Sequence, residues 1–249
     1  MTPLNNSAQA LTQTTAKTTG RLYGIGVGPG DPELITVKAL RILQSCPVLA
    51  YQSASDRPST ARQIVAQYLS GTQAEICYHL PRALDPVAAA STYDAVIEPI
   101  DAALAGGQDV VVLCEGDPLF YGSFMYLYTR LGDRYTTEII PGVSSPMGCA
   151  SVLKTPLSYR NDVFSVLSAT LPEKKLKFQL QHVDAAAIIK LRRNFSKVRQ
   201  ILKDLDLIDR VQYIEGGTMP NQRIVPIEDV DPDNVPYFAM ILLPTQSRF

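Results

Sequence analysis

Residues 110–122 read VVVLCEGDPLFYG, an apolar run that passes directly into a turn. Five consecutive apolar residues, 110–114, are typical of a strand buried on both faces. Gly116-Asp117-Pro118 then predicts a turn leading into a helix that ends near Leu131. Because parallel sheets bind ligands at the carboxyl ends of their strands, a ligand site is expected here, although a plain capped helix start remains possible. The acids Glu115 and Asp117 disfavour an anionic cofactor and favour a cationic or hydroxyl-rich one.

A similar turn, Gly28-Pro29-Gly30-Asp31-Pro32, follows a short apolar run at 22–27. Asp31 favours the N-cap of a helix and Pro32 its first turn. The dinucleotide fingerprint Gly-x-Gly-x-x-Gly fails in both registers, because Pro29 and Asp31 stand where glycine is needed. The phosphate-binding P-loop fails as well, since no Gly-Lys-Ser/Thr follows. The turn either approaches a ligand closely or is a simple tight connection, and the residues leave both interpretations open.

Apolar runs and helical periodicities alternate over residues 21–140, which predicts a parallel sheet with right-handed crossovers. A second alternation begins near Val163. The fold class is therefore α/β, with a disordered tail at 1–19, an N-terminal α/β domain at 20–142 and a C-terminal α/β domain at 143–249. The predicted strands are 22–27, 48–51, 74–80, 110–114, 138–140, 163–167, 186–191, 211–214 and 237–243. Apart from the helices after the two turns, the predicted helices are 60–69, 86–104, 172–180 and 195–205.

Composition excludes several classes of protein. The 249 residues carry 23 Lys plus Arg against 24 Asp plus Glu, which is not the balance of a dedicated nucleic-acid binder. No stretch reaches the ~18 apolar residues of a membrane span, and no signal peptide is evident, so a cytoplasmic protein is expected. Neither the two histidines nor any cysteine pair has metal-ligand spacing, so no metal site is predicted. The four cysteines are expected to be buried free thiols, at positions 46, 77, 114 and 149.

Two further turns follow predicted strands and are weak signals individually. Pro141–Pro146 contains Ser144 and Ser145, which suit either a ligand floor or a plain loop. Glu215-Gly216-Gly217-Thr218 is another glycine turn. A nucleophilic triad is not supported, because the chain has no Gly-x-Ser-x-Gly elbow and His79 is typical of a packed or surface histidine. No catalytic residue is indicated.

Taken together and in order, these four turns resemble the tetrapyrrole methylase family, the class III methyltransferases that use S-adenosylmethionine. The resemblance runs from Arg21 to Pro244. Within the family, residues 78–81, 114–123 and 190–195 are similar to the members that methylate the C20 meso carbon of precorrin-2 or cobalt-precorrin-2 in cobalamin synthesis. Small departures are Ile35, where leucine is usual, and the extra residues before Arg21.

The resemblance implies two α/β domains with S-adenosylmethionine in the cleft between them, a homodimer and a tetrapyrrole substrate. Position by position, it implies that the cofactor contacts Gly28, Pro29, Glu115, Gly116, Asp117, Phe120, Ser144, Ser145, Lys190 and Gly217. Recognition largely through the backbone is expected, because glycine turns and strand ends expose N–H and C=O groups that need partners. Lys190 therefore need not act through its ammonium group.

A tetrapyrrole of this kind carries many carboxylates, which arginine binds well through its planar fork. Basic residues in or beside predicted loops are Arg57, Arg62, Arg82, Arg130, Lys154 and Arg160. We single out Arg82 and Arg160 as substrate-binding candidates, although most residues of this set are expected to be solvated surface cations. Asp117 is the acid nearest to the reaction by motif, but cofactor binding is its expected task.

Three other functions remain open. A sister methylase could act at another corrin carbon or on diphthamide, and the mass and position of the product would distinguish it. A non-catalytic module would bind S-adenosylmethionine without turnover. An unrelated nucleotide-binding α/β protein is disfavoured by Pro29 and by the acids at 31, 115 and 117.

Overall fold

The computed structural model describes residues 18–53, 58–79 and 86–246, with the backbone alone for 86–93. Within these ranges the chain forms two five-stranded sheets. The expected α/β class is confirmed, with helices connecting the strands of each sheet.

The first sheet is parallel throughout, with the strand order β3-β2-β4-β1-β5. Its strands are β1 Leu22–Gly26, β2 Val48–Gln52, β3 Ala74–Tyr78, β4 Val110–Cys114 and β5 Thr137–Ile140. The central strand β4 is buried along its whole length, as its continuous apolar run predicts. The carboxyl ends of β1, β4 and β5 are neighbours at one edge of this sheet.

The helices of the first half are α1 Val37–Ser45, α2 Thr60–Ile64, α3 Pro86–Ala105 and α4 Phe124–Leu131. Neither helix after the two Asp-Pro turns begins where the sequence predicts. Asp31 caps only a three-residue 3-10 turn, and α1 starts anew after Thr36, whose side chain accepts the N–H of Ala39 at 3.2 Å. The second helix, α4, begins only at Phe124, so Asp117 is not its cap.

The second sheet is mixed, with the order β6-β7-β10-β8-β9. Its strands are β6 Phe164–Ser168, β7 Ala185–Ile189, β8 Gln212–Glu215, β9 Arg223–Val225 and β10 Ala239–Leu243. Only β6 and β7 pair in parallel, while β10 runs antiparallel between β7 and β8. The helices are α6 Glu173–Leu180 and α7 Phe195–Asp204. Strand β9 was not predicted, because its three residues contain only two consecutive apolar ones, too few to indicate a strand.

Helix α5, Ser145–Leu153, lies between the two halves and was not predicted. Its glycine, serines and proline have low helix propensity, so the segment has the composition of a loop. The structure buries one side of it. A Cβ placed on Gly148 would lie 2.6 Å from Cγ of Pro29, and a Cβ placed on Gly217 would lie 2.5 Å from Sγ of Cys149. Small residues therefore let α5 contact turns from both halves.

Three of the four cysteines are buried as expected, at positions 46, 114 and 149, whereas Cys77 on β3 is exposed and that part of the prediction is wrong. Burial raises the pKa of Cys46 to about 11 and that of Cys149 to about 12, so both are protonated thiols at neutral pH.

Among the described helices, none is both long enough and apolar enough to cross a membrane.

Candidate active site

The two glycine turns that follow β1 and β4 are bonded to each other. The N–H of Gly116 donates to the carbonyl of Gly28 at 2.8 Å, and the N–H of Gly28 donates back at 3.3 Å. Both residues have left-handed backbones, with φ of 82° at Gly28 and 65° at Gly116. A side chain at either position would be strained, so the glycines are needed for this mutual contact.

The end of β5 joins the same cluster. A Cβ placed on Gly26 would lie 2.5 Å from both the Gly116 oxygen and the Gly142 nitrogen. A Cβ on Gly142 would collide with the same Gly116 oxygen. Three strand ends therefore converge so closely that only glycine fits at these positions.

Asp117 holds this arrangement through both of its carboxylate oxygens. Oδ1 accepts the N–H of Leu119 at 2.9 Å, and Oδ2 accepts the N–H of Gly142 at 3.1 Å. The first bond shapes the turn after β4, and the second fastens it to the turn after β5. In the described structure Asp117 thus positions backbone, rather than starting a helix as its sequence context suggests.

Ser144 and Ser145 lie directly beside this cluster, at the start of α5. The Ser144 Cα and the Ser145 nitrogen each lie 3.8 Å from the place of a Cβ on Gly116. Ser144 is the N-cap residue of α5, and its side chain makes no capping hydrogen bond. The helix dipole makes this end of α5 electropositive. The expected ligand floor is therefore a helix N-terminus rather than a loop.

Pro29 and Gly30 face protein from the second half. Pro29 is buried against Gly148 of α5. A Cβ on Gly30 would lie 2.9 Å from the Thr218 oxygen, and that oxygen accepts the N–H of Asp31 at 3.1 Å. The turn that contains Pro29 and Gly30 is therefore packed against Thr218. A cavity of about 440 Å³ lies beside this contact.

Tyr121 and Lys190 form a contact across the two halves. The Tyr121 hydroxyl donates to the carbonyl of Val166 on β6 at 3.3 Å. The Lys190 ammonium lies over the same ring, 5.3 Å from its centroid, while Phe120 meets the ring edge-on at 5.1 Å. Lys190 follows β7, so the carboxyl end of β7 faces the segment that follows β4.

Glu115 directly follows β4, and its surface is open to solvent although many protein atoms surround its carboxyl group. Its Oε1 accepts the N–H of Ala61 at 3.3 Å. Surrounding protein raises the pKa of the Glu115 carboxyl by burial, and backbone N–H donors partly offset this. Tyr237 is 59% exposed as a residue. The pKa of its hydroxyl is raised mainly by the protein packed around it and also by the Glu115 charge, and it is lowered by the Arg192 charge.

Backbone strain is concentrated around these contacts. Four residues other than glycine in this region have positive φ, namely Tyr121 (56°), Lys190 (61°), Arg192 (32°) and Thr218 (71°). Such conformations persist only where the surroundings fix them, and they cluster at functional sites. Tyr121, Arg192, Thr218 and Tyr237 were not among the residues predicted from sequence. Tyr121 and Thr218 lie in or directly after two of the predicted turns, and Arg192 lies in the segment 190–195 of the narrower resemblance, whereas no sequence signal indicated Tyr237.

The cations considered for substrate binding differ in their surroundings. Arg62 donates to Glu75 through Nε and Nη2, and Arg130 pairs with Asp94 at 3.2 Å. Arg160 is exposed and lies 5.1 Å from the Tyr159 ring centroid.

Two members of that set, Arg57 and Arg82, lie outside the described residues, and Lys154 is the exposed C-cap residue of α5. In the described ranges, no group of His, Cys, Asp or Glu side chains has the arrangement of a metal site.

Comparison with known proteins shows the family of the chain. The family model described as Tetrapyrrole (Corrin/Porphyrin) Methylases matches residues 21–231. The chain is 39% identical to a precorrin-2 C(20)-methyltransferase of Sinorhizobium sp, covering 90% of this chain and 95% of that protein. It is 32% identical to a cobalt-precorrin-2 C(20)-methyltransferase of Salmonella typhimurium, covering 92% and 98%.

A solved structure of similar fold is the uroporphyrin-III C-methyl transferase of Thermus thermophilus complexed with S-adenyl homocysteine. Its TM-score is 0.66 at 22% identity, covering 90% of this chain and 97% of that one. The family model spans most of the chain, and the Sinorhizobium and Salmonella relatives are matched over nearly their full lengths. The chain belongs to the tetrapyrrole (corrin/porphyrin) methylases.

Proposed function

We propose that this protein transfers the methyl group of S-adenosylmethionine to the C20 meso carbon of precorrin-2, or of its cobalt complex, in cobalamin biosynthesis. The observation that carries the proposal is the convergence of three strand ends and the start of α5 into one backbone-lined cluster, opposite the end of β7. The names of the two relatives described above give the carbon atom and the substrate class.

The charges of this cluster fit S-adenosylmethionine. The cofactor has a carboxylate, an ammonium group and a sulfonium ion. The N-terminus of α5 at Ser144 and Ser145 suits the anionic group. The Glu115 carboxylate suits a cationic or hydroxyl group, whereas both oxygens of Asp117 are already occupied by backbone donors.

The residues expected at the cofactor site have three proposed roles. Backbone contacts are proposed at Gly28, Gly116, Lys190 and Gly217. Side chains are proposed at Glu115, Phe120, Ser144 and Ser145. Pro29 and Asp117 support the site by fixing the turns, because Pro29 is packed against α5 and Asp117 bonds to Leu119 and Gly142.

The bound cofactor supplies a methyl group on a sulfonium ion, which is already activated for transfer. The protein then has to position the electron-rich meso carbon in line with the methyl group and sulfur, and to exclude water. Such positioning can lower the activation free energy by up to ~7–11 kcal/mol. Tyr121 and Lys190 are placed to fix the two halves around the substrate, through the Val166 bond and the ring contact.

We also propose that the protein is a cytoplasmic homodimer. The buried free thiols are compatible with a reducing compartment. Met125 and Tyr128 are exposed apolar side chains three residues apart on α4 and so share one face, which offers a surface for a second copy. Light scattering should give twice the chain mass for the wild type and a monomer for Met125→Glu/Tyr128→Glu, whereas a monomeric wild type contradicts this proposal.

Calorimetry and product analysis test the activity. Purified protein should bind S-adenosylmethionine with a Kd of about micromolar magnitude, equivalent to about 8 kcal/mol. Incubation with precorrin-2, with and without cobalt, should add one methyl group. No heat with either the cofactor or its demethylated product contradicts the proposal, and binding without methylation supports a non-catalytic module instead. Methylation at another carbon supports a sister methylase.

A further inference from the structure

The carboxyl end of β7 carries three cations within four residues, Lys190, Arg192 and Arg193. All three are exposed. Across the described ranges, none of them forms an ion pair with a carboxylate. By contrast, Arg62 and Arg130 are neutralised by acids. This segment therefore presents positive charge that the described part of the protein does not balance.

The backbone fixes two of these cations in unusual conformations. Leu191 is fully buried, and the residues on either side of it, Lys190 and Arg192, both have positive φ. Left-handed conformations are unfavourable for residues with a side chain, so packing of the surrounding protein must fix this segment. The buried leucine holds Lys190 and Arg192 in place at the edge of the cleft.

Arg192 is also connected to the cleft by its neighbours. The 3-10 turn Arg192–Asn194 lies against the 3-10 turn Pro232–Asn234, a few residues before Tyr237. The charges of Arg192 and Glu115 both act on the Tyr237 hydroxyl, with opposite effects on its pKa, after the larger effect of burial. Lys190 contacts the Tyr121 ring after β4, and Arg192 follows it by two residues, so this segment lies at the same end of the cleft as the turn after β4.

We propose that the Arg192 guanidinium anchors one peripheral carboxylate of the tetrapyrrole substrate. This inference rests on the proposed function and adds a positioning contact to it. A guanidinium fork binds carboxylate in a bidentate manner, which fixes orientation as well as supplying charge. Because precorrin-2 carries several similar carboxylates, an anchor at one of them selects which meso carbon lies at the methyl donor.

Three variants test the contact. Arg192→Gln removes the charge, Arg192→Lys keeps the charge without the fork, and Arg193→Gln is the matched control. Arg193 is the adjacent residue with the same charge and similar exposure, and no described cleft residue interacts with it. KM and kcat are measured for precorrin-2, and the Kd for S-adenosylmethionine is measured separately by calorimetry.

A binding readout independent of turnover is available. The chain has 12 tyrosines and no tryptophan, so tyrosine fluorescence is quenched by a bound tetrapyrrole that absorbs near its emission. The stable oxidised form of precorrin-2 serves as the probe. This titration reports on Arg192 even if the wild type does not methylate, so failure of the inference and failure of the proposed function are distinguishable.

Arg192→Gln should raise the precorrin-2 KM and the probe Kd by about tenfold or more, the usual effect of losing a charge-assisted hydrogen bond. Arg192→Lys should lie between this variant and the wild type, and Arg193→Gln should stay within about twofold of the wild type. The S-adenosylmethionine Kd should not change in any variant. The inference would be overturned by an equal rise of the probe Kd in Arg192→Gln and Arg193→Gln, or by an unchanged probe Kd in Arg192→Gln. A higher Kd for S-adenosylmethionine in Arg192→Gln would also overturn it.

Discussion

The carboxylate of Asp117 accepts the N–H of Gly142 at 3.1 Å, which ties the turn after β4 to the turn after β5. Its other oxygen accepts the N–H of Leu119 at 2.9 Å. An asparagine has one acceptor oxygen, so one of these two backbone donors loses its partner in Asp117→Asn. We expect this variant to lower the free energy of unfolding by ~1–3 kcal/mol in urea titrations.

Asp117→Asn should also weaken S-adenosylmethionine binding in calorimetry, because the displaced turn contains proposed cofactor contacts. Asp231→Asn is the matched control. Asp231 caps a 3-10 turn by accepting the N–H of Asp233 at 3.0 Å, but that turn carries no proposed cofactor contact. Unchanged stability together with unchanged cofactor affinity in Asp117→Asn would show that the carboxylate does not hold the two turns.

Gly142→Ala should be among the most destabilising single substitutions in this chain. The added methyl group would collide with the carbonyl oxygen of Gly116 and lie 2.8 Å from the Cα of Gly26. Both neighbours are backbone, so relief requires movement of strand ends. The loss of unfolding free energy should exceed the ~1–3 kcal/mol that is usual for an overpacked core.

Gly71→Ala is the control that separates the steric collision at Gly142 from the backbone strain of replacing a glycine. Gly71 has φ of 77° with open space around it, so its substitution carries conformational strain without a clash. Circular dichroism during urea unfolding should show a loss of ~1–2 kcal/mol for Gly71→Ala and a clearly larger one for Gly142→Ala. Similar losses in the two variants would mean that the three strand ends can separate at little cost.

The stability of Glu115→Gln relative to the wild type should depend on pH. Burial raises the pKa of Glu115, so the folded state holds the proton more tightly than the unfolded state. The corresponding stabilisation is present below the ordinary glutamate pKa of ~4.3 and is lost as pH rises through the higher folded-state pKa. The melting temperature of Glu115→Gln should therefore rise relative to that of the wild type between pH 4 and pH 7.

The control for that comparison is Glu75→Gln. In the wild type, hydrogen bonds with Arg62 and then with Tyr51 lower the pKa of Glu75. The melting temperature of Glu75→Gln should therefore fall relative to that of the wild type as pH rises. A Glu115→Gln difference that is flat across pH, or that falls with rising pH, would contradict the burial of this carboxyl.

Thr218→Val should loosen the contact between the first turn and the second half. The Thr218 oxygen accepts the N–H of Asp31 at 3.1 Å, and valine keeps the shape and branching while removing the acceptor. We expect a loss of ~1–3 kcal/mol of unfolding free energy, because the donor is left unpaired in a partly buried contact. Thr218→Ser keeps the hydroxyl and should remain within ~0.5 kcal/mol of the wild type, and equal effects in both variants would exclude this hydrogen bond as the cause.

The elements that sequence predicted well are those whose signal is local. Strand β4 was predicted with its observed bounds, because five apolar residues followed by a glycine turn define a buried strand without reference to the rest of the chain. Helices α3 and α7 likewise follow from their periodicity. The family resemblance predicted the two-part α/β fold and the order of the four turns, and the family match confirms that membership.

What sequence missed depends on contacts between distant residues. Helix α5 resembles a loop in composition, and it is stable because Gly148 and Cys149 pack against turns from both halves. Asp117 has the local pattern of a helix cap, but its partner Gly142 lies at another strand end. Arg192 lies in the segment 190–195 that carries the narrower resemblance, but its relation to Tyr237 depends on the second sheet and was not indicated by sequence. The ten residues proposed for the cofactor remain predictions.

Transfer of an isotope-labelled methyl group is the most direct test of the central claim. The purified protein is incubated with precorrin-2 and S-adenosylmethionine carrying a carbon-13 methyl group, and the product is examined by NMR. One labelled methyl signal is expected, with couplings that place it on the C20 meso carbon. A labelled methyl on any other carbon, or a tetrapyrrole that gains no label while the cofactor is bound, would contradict the proposed reaction.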